Sequence, residues 1–176
     1  QIVNKSSSGV ESWLRDNKNI TVFKGHARFV SPKEVEVGND RLTADKFFIN
    51  AGGRARVPDM PGVDQIPYLT NSSMMDVDFL PRHLVVVGGS YIGLEFGQMF
   101  RRFGSEVTII EMGSRLIGRE DPDVSAEVRK ILENEGVHLR LDAKCISFRK
   151  EGDKIAAGVD CQDGDREVLG SHVLLA

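Results

Sequence analysis

Cysteine is scarce in this chain of 176 residues, which holds only Cys145 and Cys161. Two cysteines exclude a disulfide-stapled scaffold, and their spacing matches neither a zinc site nor a redox pair, so ordinary thiols in a cytoplasmic protein are expected. Long apolar runs are missing as well, the longest being four residues, as at 84–87. A spanning helix needs about 20 such residues and a signal-peptide core about 7 to 15, so neither a membrane segment nor a leader is expected. Nor is there an excess of one charge: 23 basic residues stand interspersed with 26 acidic ones, for a formal charge of −3. That balance lacks the basic footprint of nucleic-acid or anionic-membrane binding and leaves small molecules or proteins as partners. The opening residues QIVNKSSSGVESWL carry no initiator methionine, and the chain is expected to be a fragment.

What is present is ordinary globular material, 40% hydrophobic and 28% charged, enough for one good core or two small ones. Val10, Trp13 and Leu14 fall at helical spacing and predict an opening helix. The segments ITVFKGHARFV, EVEV and LTADKFFIN are rich in β-branched and aromatic residues. Turn signals at Ser31-Pro32 and Gly38-Asn39-Asp40 separate them, which predicts a small antiparallel meander. Residues 52–67, broken by glycines and prolines, read as an irregular connector. A short helix capped by Asn71 or Ser72 is expected to end at Pro81. A boundary near residue 81 then divides the chain into parts 1–81 and 82–176.

Beyond that boundary the rhythm is strand, helix, strand, helix, strand. Residues 83–87 and 106–110 read as strands covered on both faces. The helix between them, 91–103, is expected to bury Ile92, Met99, Phe100 and Phe103 and to stop at Gly104, with Arg101 and Arg102 on a solvated face. The next helix has Asp121 as N-cap, Pro122 first, a core stripe of Val124, Val128, Ile131 and Leu132, and Gly136 as terminator. VHLRL, a ribbon of KCISFRK, KIAAGVD and REVLG with turns at Gly152-Asp153 and Asp163-Gly164, and a last strand HVLLA complete the pattern. The fold class read from this is α/β, a Rossmann-like parallel sheet with helices plus an antiparallel β-ribbon.

Chemistry concentrates in LVVVGGSYIGLEFG. In G-x-G-x-x-G the first glycine makes a tight turn, the second admits the pyrophosphate to the backbone, and the third lets the helix pack on the strand. Gly88, Ser90 and Gly93 occupy these places. The serine Cβ narrows the gap, but its hydroxyl can donate to a phosphate oxygen, and Gly89 leaves open backbone beside it. A strand precedes the turn, a helix follows, and a second strand ends in Glu111, roughly twenty positions on, where an acid can accept from an adenosine ribose 2′-hydroxyl. A 2′-phosphate would meet that carboxylate with a repulsion of up to about 4 kcal/mol at an effective dielectric of about 20. NAD is therefore favoured over NADP; Arg115 is close enough in sequence to blunt the preference or to be a plain surface residue. His26, His83, His138 and His172 are scattered without ligand spacing, and no metal site is read.

VVVGGSYIGLEFGQMFRRFGSEVTIIE, the connector AGGRARVPDMPGV and the meander GHARFV together resemble the FAD- and NAD-dependent disulfide oxidoreductase family, mercuric reductase-like and dihydrolipoamide dehydrogenase-like members above all. The resemblance implies that 1–81 is the later part of an FAD-binding domain and 82–176 most of an NAD-binding domain. It implies that Ala27 lies near the FAD adenine and that Ala51, Gly52 and Gly53 run along the flavin nucleotide, with Gly52 replacing the threonine usual in the family. For NAD it implies Gly88, Gly89, Ser90, Tyr91, Ile92 and Gly93 at the pyrophosphate turn, Glu95 near the flavin and nicotinamide rings, and Glu111 at the ribose. Tyr91 corresponds to an aromatic that covers the flavin where nicotinamide docks, and equally suits a core residue at a helix start. Cys145 corresponds to a residue near adenine, although a lone cysteine is more often simply buried.

The expected activity is hydride transfer from NADH to FAD and onward to an acceptor that the sequence does not name, in a full-length homodimer. No catalytic residue is assigned within these residues: the family's redox cysteine pair has no counterpart in them, so the chain by itself is expected to be inactive. A non-catalytic NAD-binding or sensory module is the alternative, and a Rossmann-type methyltransferase ranks behind it because it leaves the meander and connector unexplained.

Overall fold

A computed structural model of the chain describes residues 2–160 and 166–176. Cys161 and the turn expected at Asp163-Gly164 lie outside the described residues. The chain divides into two compact units, Gln1–Gly52 and Gly53–Ala176.

The first unit opens with helix α1 (Ile2–Arg15), longer than its three apolar positions required. Strands β1 (Ala27–Ser31), β2 (Glu34–Val37) and β3 (Asp40–Thr43) follow as an antiparallel sheet in chain order. The meander is as expected, but its first and third strands are shorter than the apolar text around them. Among the described residues of this unit only Val37 is buried.

The second unit holds the core. Its elements are β4 (Leu69–Thr70), β5 (His83–Val87), α2 (Tyr91–Phe103), β6 (Glu106–Ile110), α3 (Pro122–Asn134), β7 (His138–Arg140), β8 (Lys144–Glu151), β9 (Lys154–Asp160), β10 (Glu167–Gly170) and β11 (His172–Leu175). A five-stranded parallel sheet runs in the order β4-β11-β5-β6-β7, and β10-β9-β8 form an antiparallel sheet. Alternation along the central strands assigns the layers. Leu84, Val86, Val107, Ile109 and Leu174 join Leu94, Phe100 and Leu132 in a core on the helix side. Val85, Ile110, Val173 and Leu175 join Ile146, Phe148, Ile155 and Val168 in a second core under the ribbon. A parallel sheet covered on both faces needs such continuous apolar strands.

Several expectations are corrected. On α2 the buried residues are Gly93, Leu94, Gly97 and Phe100, while Ile92, Met99 and Phe103 are exposed. A Cβ on Gly97 would stand 3.0 Å from the Ile109 side chain, so the glycines mark the face pressed to the sheet, and a search for bulky residues picks the wrong side. On α3 Leu132 and Ser125 are buried, but Val124 and Ile131 are exposed. Asp121 holds the N-cap position, yet its side chain makes no capping bond. Both helices end in a six-to-one and five-to-two pairing around a left-handed glycine: Ser105 N–H to Phe100 O with Gly104, and Val137 N–H to Leu132 O with Gly136.

Arg101 and Arg102 are also not merely solvated. Arg101 Nε donates to Glu135 O at 2.9 Å and Arg102 pairs with the Glu135 carboxylate at 2.6 Å, clamping α2 to the negative end of α3. The Arg102 guanidinium holds the Glu135 carboxyl below its ordinary value. Residues 71–81 form only a 3-10 turn, Ser73–Asp76, because the Ser73 hydroxyl bonds back to Thr70 N–H and O rather than capping an α-helix. The connector is structured too: Phe148 N–H donates to Pro61 O at 2.8 Å, and Ile66 is buried in the ribbon-side core. The expected boundary near residue 81 therefore falls within the second unit. No helix among the described residues is long and apolar enough to cross a membrane.

Candidate functional site

The carboxyl ends of β5, β6 and β11 meet where the sheet order reverses, since β5 is followed by β6 on one side and flanked by β11 on the other. Open parallel sheets bind ligands in the crevice outside such a switch point. A cleft of about 460 Å³ opens there. Its walls are largely apolar, with Met60, Val87, Met112, Ile146 and Leu175, and Glu111, Arg56, Asp59 and Cys145 supply polar groups. Apolar walls with a few convergent polar groups suit a flat heteroaromatic ring and its sugar.

The glycine turn borders this cleft. Gly88, at φ +118°, donates its N–H to Ile110 O at 2.9 Å, and a Cβ there would stand 2.3 Å from Ala176 O. Gly89 is buried; a Cβ on it would come within 2.8 Å of Leu116. A Cβ on Gly93 would lie 2.0 Å from Gly88 O. Backbone carbonyls at Gly88 and Gly93 and packed side chains at Gly89 thus require glycine at these positions, and the turn runs close against the start of α2. Ser90 is the N-cap residue; its carbonyl accepts from Leu94 N–H at 3.0 Å, while its exposed hydroxyl makes no capping bond and is free to meet an anion. The unpaired amides of this helix end favour an anion by about 0.3 to 1 kcal/mol.

Glu111 follows β6 and faces the turn. Its carboxylate accepts from Gly89 N–H at 2.6 Å through Oε2 and from Gly113 N–H at 2.7 Å through Oε1. A carboxylate has about four lone-pair sites, so each oxygen keeps capacity for a ribose hydroxyl. The acid therefore shapes the turn as well as facing the cleft, a role that its spacing from the glycines did not announce. Arg115 Nη2 donates to Gly118 O at 2.8 Å and is committed to its own loop.

The expected nucleotide residues separate into groups. Gly88, Gly89, Gly93 and Glu111 come together at the cleft edge with Ser90. Tyr91, Ile92 and Glu95 are exposed on α2, with Tyr91 and Glu95 one turn apart on the same face. Cys145 lines the cleft and is exposed, which corrects the reading of a buried thiol. Ala27, Ala51, Gly52 and Gly53 are exposed, and a Cβ on Gly52 or Gly53 would meet nothing within 4 Å.

Sequence reasoning missed Met112, Ile146, Leu175 and Ala176, and the connector residues Arg56, Pro58, Asp59, Met60 and Pro61. Treating HVLLA as a parallel neighbour of β5 would have brought Leu175 and Ala176 to the turn. The connector gives no such signal, since its place comes from packing on β8. Backbone strain also gathers here: the non-glycine residues at positive φ among the described ones are Ile117 at 40°, Asp142 at 53° and Cys145 at 51°. Cys145 lines the cleft, Asp142 donates its N–H to Gly113 O at 3.0 Å, and Ile117 lies in the loop bracing Gly89; such strain, on the order of 1 to 3 kcal/mol each, concentrates at functional sites.

Known proteins share this arrangement. A family model described as pyridine nucleotide-disulphide oxidoreductase matches residues 1–176. A mercuric reductase of Bacillus cereus is 34% identical over 163 residues, 93% of this chain and 26% of that protein. A mitochondrial dihydrolipoyl dehydrogenase of Pisum sativum is 31% identical over 180 residues, 98% of this chain and 36% of its own length. Among solved structures, the HOCl-induced flavoprotein disulfide reductase RclA from Escherichia coli matches with a TM-score of 0.78 and 32% identity, covering 99% of this chain and 40% of that one.

Proposed function

Because the chain belongs to the pyridine nucleotide-disulphide oxidoreductase family, we propose that it is the NADH-docking portion, with a neighbouring part of the FAD-binding portion, of a flavin-dependent oxidoreductase. The observation that carries this reading is the tight turn of Gly88, Gly89 and Gly93 leading into the start of α2, set beside a switch-point cleft with Glu111 on its edge. The helix start with its Ser90 hydroxyl fits a pyrophosphate, and the apolar cleft with its carboxylate fits an adenosine.

In this reading the α2 amides and the Ser90 hydroxyl hold the pyrophosphate, and Glu111 accepts from the adenosine ribose. Met112, Cys145 and Ile146 enclose the adenine. Tyr91, Ile92 and Glu95 face the nicotinamide end. Ala27, Ala51, Gly52 and Gly53 contribute to the flavin nucleotide only together with parts of the longer protein. FAD, held with these residues by the longer protein, would supply a two-electron carrier between NADH and an acceptor. The 176 residues by themselves bind the dinucleotide without turnover, and the longer protein works as a cytoplasmic homodimer.

Calorimetric titration with NADH and NADPH tests the assignment. NADH is expected to bind at least about tenfold more tightly than NADPH, a margin of about 1.4 kcal/mol. Glu111→Gln is expected to narrow that margin by removing the charge that faces the 2′-phosphate. Binding of neither nucleotide, or a clear preference for NADPH, would sink the reading.

A further inference from the structure

Tyr91 has a partner that the glycine fingerprint does not contain. It is the first residue of α2 and about half exposed, and its phenol O–H donates to the carboxylate of Glu120. Glu120 ends the segment between β6 and α3, and that segment is held at many points. Gly89 N–H donates to Glu111 and Ile117 N–H donates to Gly89 O at 2.8 Å, so both polar groups of one turn glycine are bonded to it. Leu116 and Ile117 are buried in the helix-side core, and the buried Ser125 hydroxyl donates to Leu116 O. Glu120 N–H donates to Ile117 O at 2.8 Å, and Ile117 itself keeps a left-handed backbone that a β-branched residue adopts only when its surroundings impose it.

A carboxylate on so anchored a segment is a fixed point relative to the turn, whereas a tyrosine at a helix start is otherwise free to choose among rotamers. We propose that Glu120 is a positioning residue for Tyr91: it holds the ring in one orientation beside the glycine turn and so sets the geometry in which the nicotinamide end of the dinucleotide docks. This rests on the reading of residues 88–93 as the NADH turn. The adenosine end is recognised elsewhere, at Glu111 and the cleft, so loss of the tether acts on hydride transfer and leaves adenosine recognition alone.

The hydrogen bond to Glu120, burial and the charge of Glu120 push the Tyr91 phenol above its ordinary value of 10.0, while Arg119 acts in the opposite sense. The tether can therefore be read without any turnover. The ring-carbon NMR signal of Tyr91, assigned by its loss in Tyr91→Phe, is followed with pH in the wild type, Glu120→Gln and Glu120→Ala. Both variants are expected to titrate at lower pH than the wild type. In the FAD-loaded longer protein, Glu120→Ala is expected to slow NADH-driven flavin reduction about tenfold. Glu120→Gln, which keeps an acceptor, restores most of that rate, and ADP-ribose affinity stays within about twofold throughout. An unchanged Tyr91 titration in Glu120→Gln refutes the tether, and a shifted titration with unaltered flavin reduction in Glu120→Ala refutes the positioning role. Failure of the wild type to bind NADH overturns the site reading and with it the docking role, while the Tyr91 titration still decides whether the tether exists.

Discussion

The two compact units use similar residues to different effect. The first carries Trp13, Phe23, Phe29, Phe48 and Ile49, all exposed, and buries only Val37 among its described residues. In the second, Leu84, Val85, Val86, Val107, Ile109 and Ile110 have no measurable exposure. The difference lies in layers rather than composition. A sheet buries its apolar face only if another layer lies over it. The parallel sheet of the second unit has helices on one side and a ribbon on the other, while in the first unit α1 buries none of its residues and the three-stranded meander buries only Val37. The chain spans 26% to 38% of the length of the curated relatives it matches.

That contrast can be broken most directly by truncating one apolar side chain in each unit. Leu84→Ala is expected to cost about 2 to 5 kcal/mol in urea denaturation, and Phe48→Ala nearly nothing. Equal losses would mean that the first unit has a hidden core. Glycines give a second, smaller contrast with opposite signs. Gly93→Ala forces a Cβ against the Gly88 carbonyl and is expected to destabilise by about 1 to 3 kcal/mol and to weaken NADH binding. Gly9→Ala in α1 meets nothing within 4 Å and should raise helicity, a gain of about 0.5 to 1 kcal/mol by propensity, seen in far-ultraviolet circular dichroism.

The smallest effect is on pH dependence. Burial holds the His83 imidazole below its ordinary 6.5 despite the opposing pull of Glu106, and burial does the same at His172. The unfolded chain then takes up protons that the native state resists, so the second unit loses stability as pH falls below 6.5. In the first unit the titrating pairs are acidic: Lys24 and Arg15 hold the Glu11 carboxyl below 4.5, and Arg28 does so for Glu36. Their contribution is present above that value and disappears only as pH falls through the depressed carboxylate range. Denaturation midpoints at about pH 7 and about pH 5 should therefore converge in His83→Gln relative to the wild type. An unchanged difference would remove His83 from the account.

Much of the second unit was legible before folding. The strands at 83–87 and 106–110 and the helix at 91–103 follow from unbroken β-branched runs and from glycines at their ends, which are local signals. Gly88, Gly93 and Glu111 were legible as a set because the turn, the helix start and the next strand end are linked by short fixed lengths of chain. The stripes on α2 and α3 were misjudged, since side-chain size does not report how closely a helix approaches its sheet.

By itself, then, the sequence determined the order of elements, the glycine turn and the identity of the acid that faces it, because each depends on neighbours a few residues away or on one strand–helix–strand unit. Only the tertiary structure decided that Glu111 braces Gly89, that Tyr91 is tethered to Glu120, and that the connector and Leu175 wall the cleft. Those contacts join segments tens of residues apart, and they exist only once the parallel sheet has brought the carboxyl ends of its strands to one edge.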